Sequence, residues 1–144
     1  MPAALVALII GGVATWIAYN QYMVVRAKLN LDLFEKRHHI FQRTWVCLSE
    51  VYAENPPKRL QDFTNLIPEA SFIFGKNIET YMKEISNKLI EFNILNIKIQ
   101  NAANVQLDET DIARNAELAT WLLNEASTGS KEIFSEYLDF SKWK

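Results

Sequence analysis

AALVALIIGGVATWIAY, residues Ala3 to Tyr19, decides how the rest of the chain is read. Only two glycines and one threonine among these residues fall outside the apolar class. At 1.5 Å per residue a helix over this core is about 26 Å long, and carried on through Val25 it reaches about 34 Å, against about 30 Å of hydrocarbon in a bilayer. The segment predicts a membrane-spanning helix. No charged side chain occurs before Arg26, so all 15 Lys+Arg and all 17 Asp+Glu of the 144 residues lie beyond the apolar stretch. Trp16, Tyr19 and Tyr22 sit near its charged end, where amphipathic rings settle at headgroup level, and Arg26 and Lys28 follow as further headgroup contacts.

Three other readings of this segment fit less well. A cleaved signal peptide begins with positive residues and ends on a small-x-small site, whereas bulky Trp16, Tyr19 and Tyr22 stand where cleavage would fall. The core helix of a soluble protein carries a polar stripe, and an interfacial helix carries a charged face. Residues 3–19 have neither. The expected organisation is a transmembrane anchor over residues 1–25 and one domain over residues 26–144. Arg26, Lys28, Lys36 and Arg37 follow the anchor and only the amino group precedes it, which predicts the N-terminus outside and the domain in the cytoplasm. Lone Cys47 is compatible with that reducing compartment. Ala7, Gly11, Ala14 and Ala18 recur at steps of four, three and four, a stripe through which two copies of the helix could approach closely and form a homo-oligomer.

Beyond the anchor the composition is that of an ordinary globular domain, a fact hidden by the chain-wide mean hydropathy of -0.07. One Cys excludes an internal disulfide framework and a multi-Cys zinc site. A net charge of -2 argues against nucleic acid as a partner. After Pro68 there is no proline, and Gly75 and Gly129 are the only glycines beyond Gly12, so helix is indicated throughout.

The anchor is expected to continue unbroken into a helix carrying Leu33, Phe34, Ile40, Phe41, Trp45, Leu48 and Tyr52 on one stripe, stopped by Asn55-Pro56-Pro57. A short helix from about Lys58 to Ile67 follows, with a kink at Pro68 and a left-handed cap at Gly75. From Asn77 to Gln100 the period is clearest: Ile78, Met82, Ile85, Leu89, Phe92 and Ile99, with Leu95 close by. Residues 101–107 read as a polar connection. Asp108 can cap a helix whose apolar face is predicted as Ile112, Ala116, Ala119, Leu123 and Ala126. Ser127 to Gly129 is expected to close it, and Ser130 to cap a last helix burying Ile133, Phe134, Tyr137 and Leu138. The fold class is therefore all-α, one N-terminal transmembrane helix continuing into a small cytoplasmic helical bundle, with Leu89 and Leu123 as facing core anchors. The many irregularly placed aromatic residues argue against a two-stranded coiled-coil stalk.

Chemistry is sparse. His38 and His39 are adjacent, about 100° apart on a helix, and cannot share a metal as an i, i+4 pair does. Cys47 lies among apolar neighbours with only Arg43 within a turn, and reads as a small core residue. Glu50 and Glu54 share a helix face without an ExxH partner motif, and are expected to be solvated. No catalytic, cofactor-binding or metal residue is assigned, and the chain is expected not to be an enzyme. Arg37 falls between the Phe34 and Ile40 levels of the apolar stripe, where it either snorkels or pairs with a carboxylate of the acidic C-terminal third.

KLNLDLFEKRHHIF, Lys28 to Phe41, and ASFIFGKNIETYMKEI, Ala70 to Ile85, carry a resemblance. They are similar to uncharacterised bacterial and phage-borne small single-pass membrane proteins with LDLFxKRxxxF-type and FxFGxxIxxY-type segments. The resemblance implies a bacterial, helical, membrane-linked protein and no activity. His38-His39 departs from it, being bulkier and more polar than the small or aliphatic residues of that stretch. Two functions remain in view: a membrane-anchored helical interaction module, an accessory or effector with an unknown protein partner at the bacterial inner membrane, or a spanin-like structural envelope protein with a periplasmic helical body. The side of the membrane occupied by the body separates them.

Overall fold

The computed structural model describes residues 2–51, 56–101 and 108–139, and every element among them is helical. They are α1 (Pro2–Ser49), α2 (Pro56–Phe74), α3 (Lys76–Gln100), α4 (Glu109–Asn124) and α5 (Ser130–Leu138). Tyr52, Glu54, Asn55 and the connection over 102–107 lie outside the described residues.

α1 is a single helix of 48 residues, about 72 Å long at 1.5 Å per residue. The expected continuation of the apolar segment into the body is therefore present as unbroken helix. Its first buried residue is Ile40, followed by Thr44 and Leu48 at steps of four. The Thr44 hydroxyl donates to the Ile40 carbonyl at 2.9 Å, which satisfies its one donor inside the core.

α2 runs antiparallel to the lower part of α1 and corrects two expectations. Pro56 opens it, a position where the missing amide hydrogen has no helical partner to lose. It then passes through Pro68 to Phe74, where a helix ending at Ile67 was expected. A proline in a helix interior costs about 3 kcal/mol. Phe63, Leu66 and Ile67 before it and Ala70 and Phe74 after it are all buried on one stripe, so ending the helix would uncover more than the proline costs. Gly75 has φ +87° and ψ -170°. The positive φ was expected, but this ψ is an extended conformation essentially confined to glycine rather than a left-handed helical cap, and it turns the chain directly into α3.

α3 buries Ile78, Met82, Ile85, Leu89, Phe92 and Leu95, as its period indicates, and leaves Ile99 partly covered. α4 starts where expected, with the Asp108 carboxylate accepting from the Thr110 amide at 3.4 Å. Its buried face differs from the predicted one. Asn115, Leu118, Ala119 and Leu122 face the core, while Ile112, Ala116 and Leu123 are exposed. Asn115 occupies the buried stripe because its side-chain amide donates to Asn96 Oδ1 at 2.8 Å. Leu123 is thus not a core anchor; its neighbour Leu122 is.

The expected break at Ser127 to Gly129 is replaced by one π-helical turn, Glu125–Gly129, that joins α4 to α5. The Ser130 amide reaches back five residues to Glu125 O, leaving the Ala126 carbonyl to accept from the Trp45 indole at 3.0 Å. The Glu125 carboxylate folds back over Gly129, where any Cβ would collide with it, and accepts from the Tyr81 hydroxyl at 2.6 Å. Ser130 is wholly buried and starts α5 without acting as a side-chain cap. α5 inserts Phe134 into the centre of the core, in ring contact with Phe41 at 5.4 Å and Phe74 at 5.2 Å. Such aromatic pairs add about 0.5–1.5 kcal/mol each beyond area burial. Ile133, expected inside, is exposed.

Candidate functional site

The upper part of α1 is uncovered. Every residue from Pro2 to Leu29 is exposed, and this helix is long and apolar enough to cross a membrane. Ala7, Gly11, Ala14 and Ala18 fall within about 60° of one another around the axis at 100° per residue. Nothing lies within 4 Å of a Cβ built on Gly11, and the Thr15 hydroxyl, which donates to the Gly11 carbonyl at 2.8 Å, uses up its own polarity within the helix. Trp16, Tyr19, Tyr22, Arg26 and Lys28 are likewise exposed, in the last three turns of the apolar stretch and the turn after it.

Where α1 meets the body, Arg37 turns inward. Its guanidinium donates to the Tyr137 carbonyl at 3.3 Å and the Ile73 carbonyl at 3.4 Å, and lies 5.7 Å from the Phe74 ring and 5.8 Å from the Tyr137 ring. These carbonyls belong to the last turns of α5 and α2, the negative ends of two helix dipoles. One cation from a third helix thus binds both ends, with two aromatic faces adding cation–π attraction. Desolvation lowers its pKa below the ordinary arginine value, only partly opposed by Tyr137, and a guanidinium still remains charged at any ordinary pH. Arg37 was expected either to snorkel or to meet a carboxylate; its contacts include two helix-end carbonyls and two ring faces. Missed by periodicity, they follow from chain ends that sequence spacing does not locate.

At the far end of the body Arg59 closes α1 in the same way. It donates to the Glu50 carbonyl at 2.8 Å and pairs with the Glu50 carboxylate at 3.0 Å. Glu50 is exposed, as expected, and also partnered; Glu54 lies outside the described residues. Beside this pair a cleft of about 210 Å³ opens between α1 and α2, lined by Arg43, Cys47, Asp62 and Phe63 among others. Burial pushes the Cys47 thiol up to about 11, against the pull of Arg59 and with the push of Glu50. A thiol so held is largely protonated at neutral pH and a weak nucleophile. Among the described residues no group of three or more His, Cys, Asp or Glu gathers to hold a metal ion. His38 stacks on Phe34 at 6.0 Å and tilts against Phe41 at 6.4 Å, while both His38 and His39 stay exposed, so neither burdens the packing.

Phe72 lies in the last turn of α2. It is 92% exposed. Nine residues after Phe63 at 100° per residue places it about 180° from the buried stripe, a signal present in the sequence once α2 is known to continue past Pro68.

Among the described residues the chain is all-helical, with one helix long and apolar enough to cross a membrane. No protein-family model, curated protein or solved structure matches it.

Proposed function

We propose that the protein is a membrane-tethered helical interaction module. Residues 3–25 cross the bacterial inner membrane, and the remaining helices form a small bundle on the cytoplasmic side that engages a protein partner without catalysing a reaction. The observation that carries this reading is α1 itself. A helix with an uncovered, charge-free upper part and a lower part locked into a packed core is costly in water and suited to a bilayer, since about 25 cal/mol is lost for each Å² of apolar surface left wet. The likeness of Lys28 to Phe41 and Ala70 to Ile85 to bacterial single-pass proteins supports the setting. The small-residue stripe at Ala7, Gly11, Ala14 and Ala18 supports pairing of two copies within the membrane.

Orientation is the decisive test. The basic residues after the segment support a body on the inside, by the positive-inside rule. A cytoplasm-active reporter fused after Lys144 is expected to be active and a periplasm-active one silent. Arg26→Ala and Lys28→Ala with two lysines added after Met1 are expected to weaken or invert that pattern. A periplasmic C-terminus in the unaltered chain would refute the cytoplasmic module and favour a spanin-like envelope protein.

A further inference from the structure

α1 leaves the body at the end formed by the last turns of α2 and α5, a level fixed by the Arg37 contacts to Ile73 and Tyr137. The α2–α3 corner lies at this same end, and it bears Phe72, the most exposed of the large apolar residues described. Lys76, also exposed, opens α3 one turn further on. Nothing in the core accounts for an aromatic ring pointing directly away from it.

We propose that this corner is a second membrane contact, with Phe72 reaching the outer edge of the headgroup layer and Lys76 meeting lipid phosphates. The inference rests on the reading that residues 3–25 span the bilayer. Geometry brings the corner within reach. The apolar stretch of about 34 Å exceeds the hydrocarbon thickness of about 30 Å, and a tilt of about 30° absorbs the excess, within the range seen for such helices. From Val25 to Arg37 the helix rises about 18 Å, and a neighbouring helix centred 8–10 Å away carries side chains about 5 Å further out. Tilted toward α2, the corner descends from about 18 Å to about 9 Å above the hydrocarbon, at the outer edge of a headgroup layer about 5–7 Å deep.

The direction of tilt has support of its own. Cys47 faces α2 across the cleft, and Leu29, eighteen residues earlier and so five full turns along the axis, lies on the same side of α1. Leu29 is 63% exposed, against 46% for Leu31 on the opposite side of α1, and a tilt toward α2 carries the more exposed of these two leucines into the interface.

The test uses the full chain in phosphatidylcholine–phosphatidylglycerol vesicles, with Cys47→Ala providing a background free of thiols. A fluorescent probe is placed at Asn77→Cys, beside the corner with Phe72 intact; at Thr120→Cys, exposed on α4 and away from it; and at Leu8→Cys in the anchor. Doxyl groups near the headgroups are expected to quench the probe at 77 more strongly than that at 120, and Phe72→Asp is expected to abolish the difference. Lys76→Ala is expected to weaken it in anionic vesicles and leave it unchanged in neutral ones. Equal quenching at 77 and 120, with the Leu8 probe buried in lipid, overturns the second contact and leaves the anchor standing. Quenching at 77 that survives Phe72→Asp overturns the role of Phe72. A Leu8 probe open to water overturns the spanning reading and the inference with it.

Discussion

Leu122 and Leu123 are adjacent leucines on α4 with opposite surroundings, and truncating each in turn tests the register of the whole helix. Leu122 is 0% exposed and belongs to the core; Leu123 is 46% exposed. Leu→Ala removes three carbon atoms, a transfer loss of about 2.4 kcal/mol at about 0.8 kcal/mol per carbon when the site is fully buried. A cavity is also left at Leu122, where α3 and α1 hold the walls, raising the cost to about 3–4 kcal/mol. At Leu123 about half of the transfer loss applies and solvent fills the space, giving about 1 kcal/mol. For a body of this size each kcal/mol moves the melting temperature by about 4 °C. Leu122→Ala is therefore expected to lower Tm by about 12–16 °C and Leu123→Ala by about 4 °C. Thermal unfolding of the detergent-solubilised full chain, followed by near-ultraviolet circular dichroism, reads both. Equal shifts, or the larger one at Leu123, would refute the packing of α4.

Cys47 should react slowly. With its pKa raised from 9.0 to about 11, its thiolate fraction at pH 8 is about 100-fold below that of an ordinary thiol; greater intrinsic nucleophilicity offsets part of this, leaving reaction with a disulfide reagent about tenfold slower than in the urea-unfolded chain. Because the folded form holds the proton more tightly, the associated stability is complete below pH 9 and is lost as pH rises toward 11. Equal rates for folded and unfolded chain would refute the burial of this thiol. In the membrane, Gly11→Leu is expected to lower self-association of the full chain measured by energy transfer between labelled copies, since the bulkier side chain holds two backbones apart; unchanged transfer would remove the small-residue stripe as an interface.

Periodicity located α3 and its buried stripe because one face of that helix is apolar and charges cover much of the rest. α4 misled the same reasoning. It carries two apolar stripes, and the buried one contains Asn115, whose amide is satisfied by Asn96 from another helix, a pairing that a window on one segment cannot reveal. Local rules placed breaks at Pro68 and Gly129, yet both positions sit inside continuous helical structure: burial on either side of Pro68 outweighs a lost hydrogen bond, and the Trp45 indole takes up a carbonyl at the π turn. The long apolar helix was legible throughout, since length and absence of charge are properties of sequence alone. The contacts of Arg37 and Arg59 were not, because each depends on where other helices end in space.

Because α1 is unbroken from Pro2 to Ser49, the apolar segment and the body form one shaft with no swivel. The azimuth that the segment presents to lipid, or to a second segment, is geared to the azimuth of every surface on the body. One residue added between Arg26 and Lys36 would turn the body by about 100° and lift it by about 1.5 Å, whereas seven would bring it back to within about 20° of its original heading. With the proposed membrane crossing, a contact made in the bilayer selects which side of the body meets a neighbour, and anything that turns the body turns the apolar segment with it.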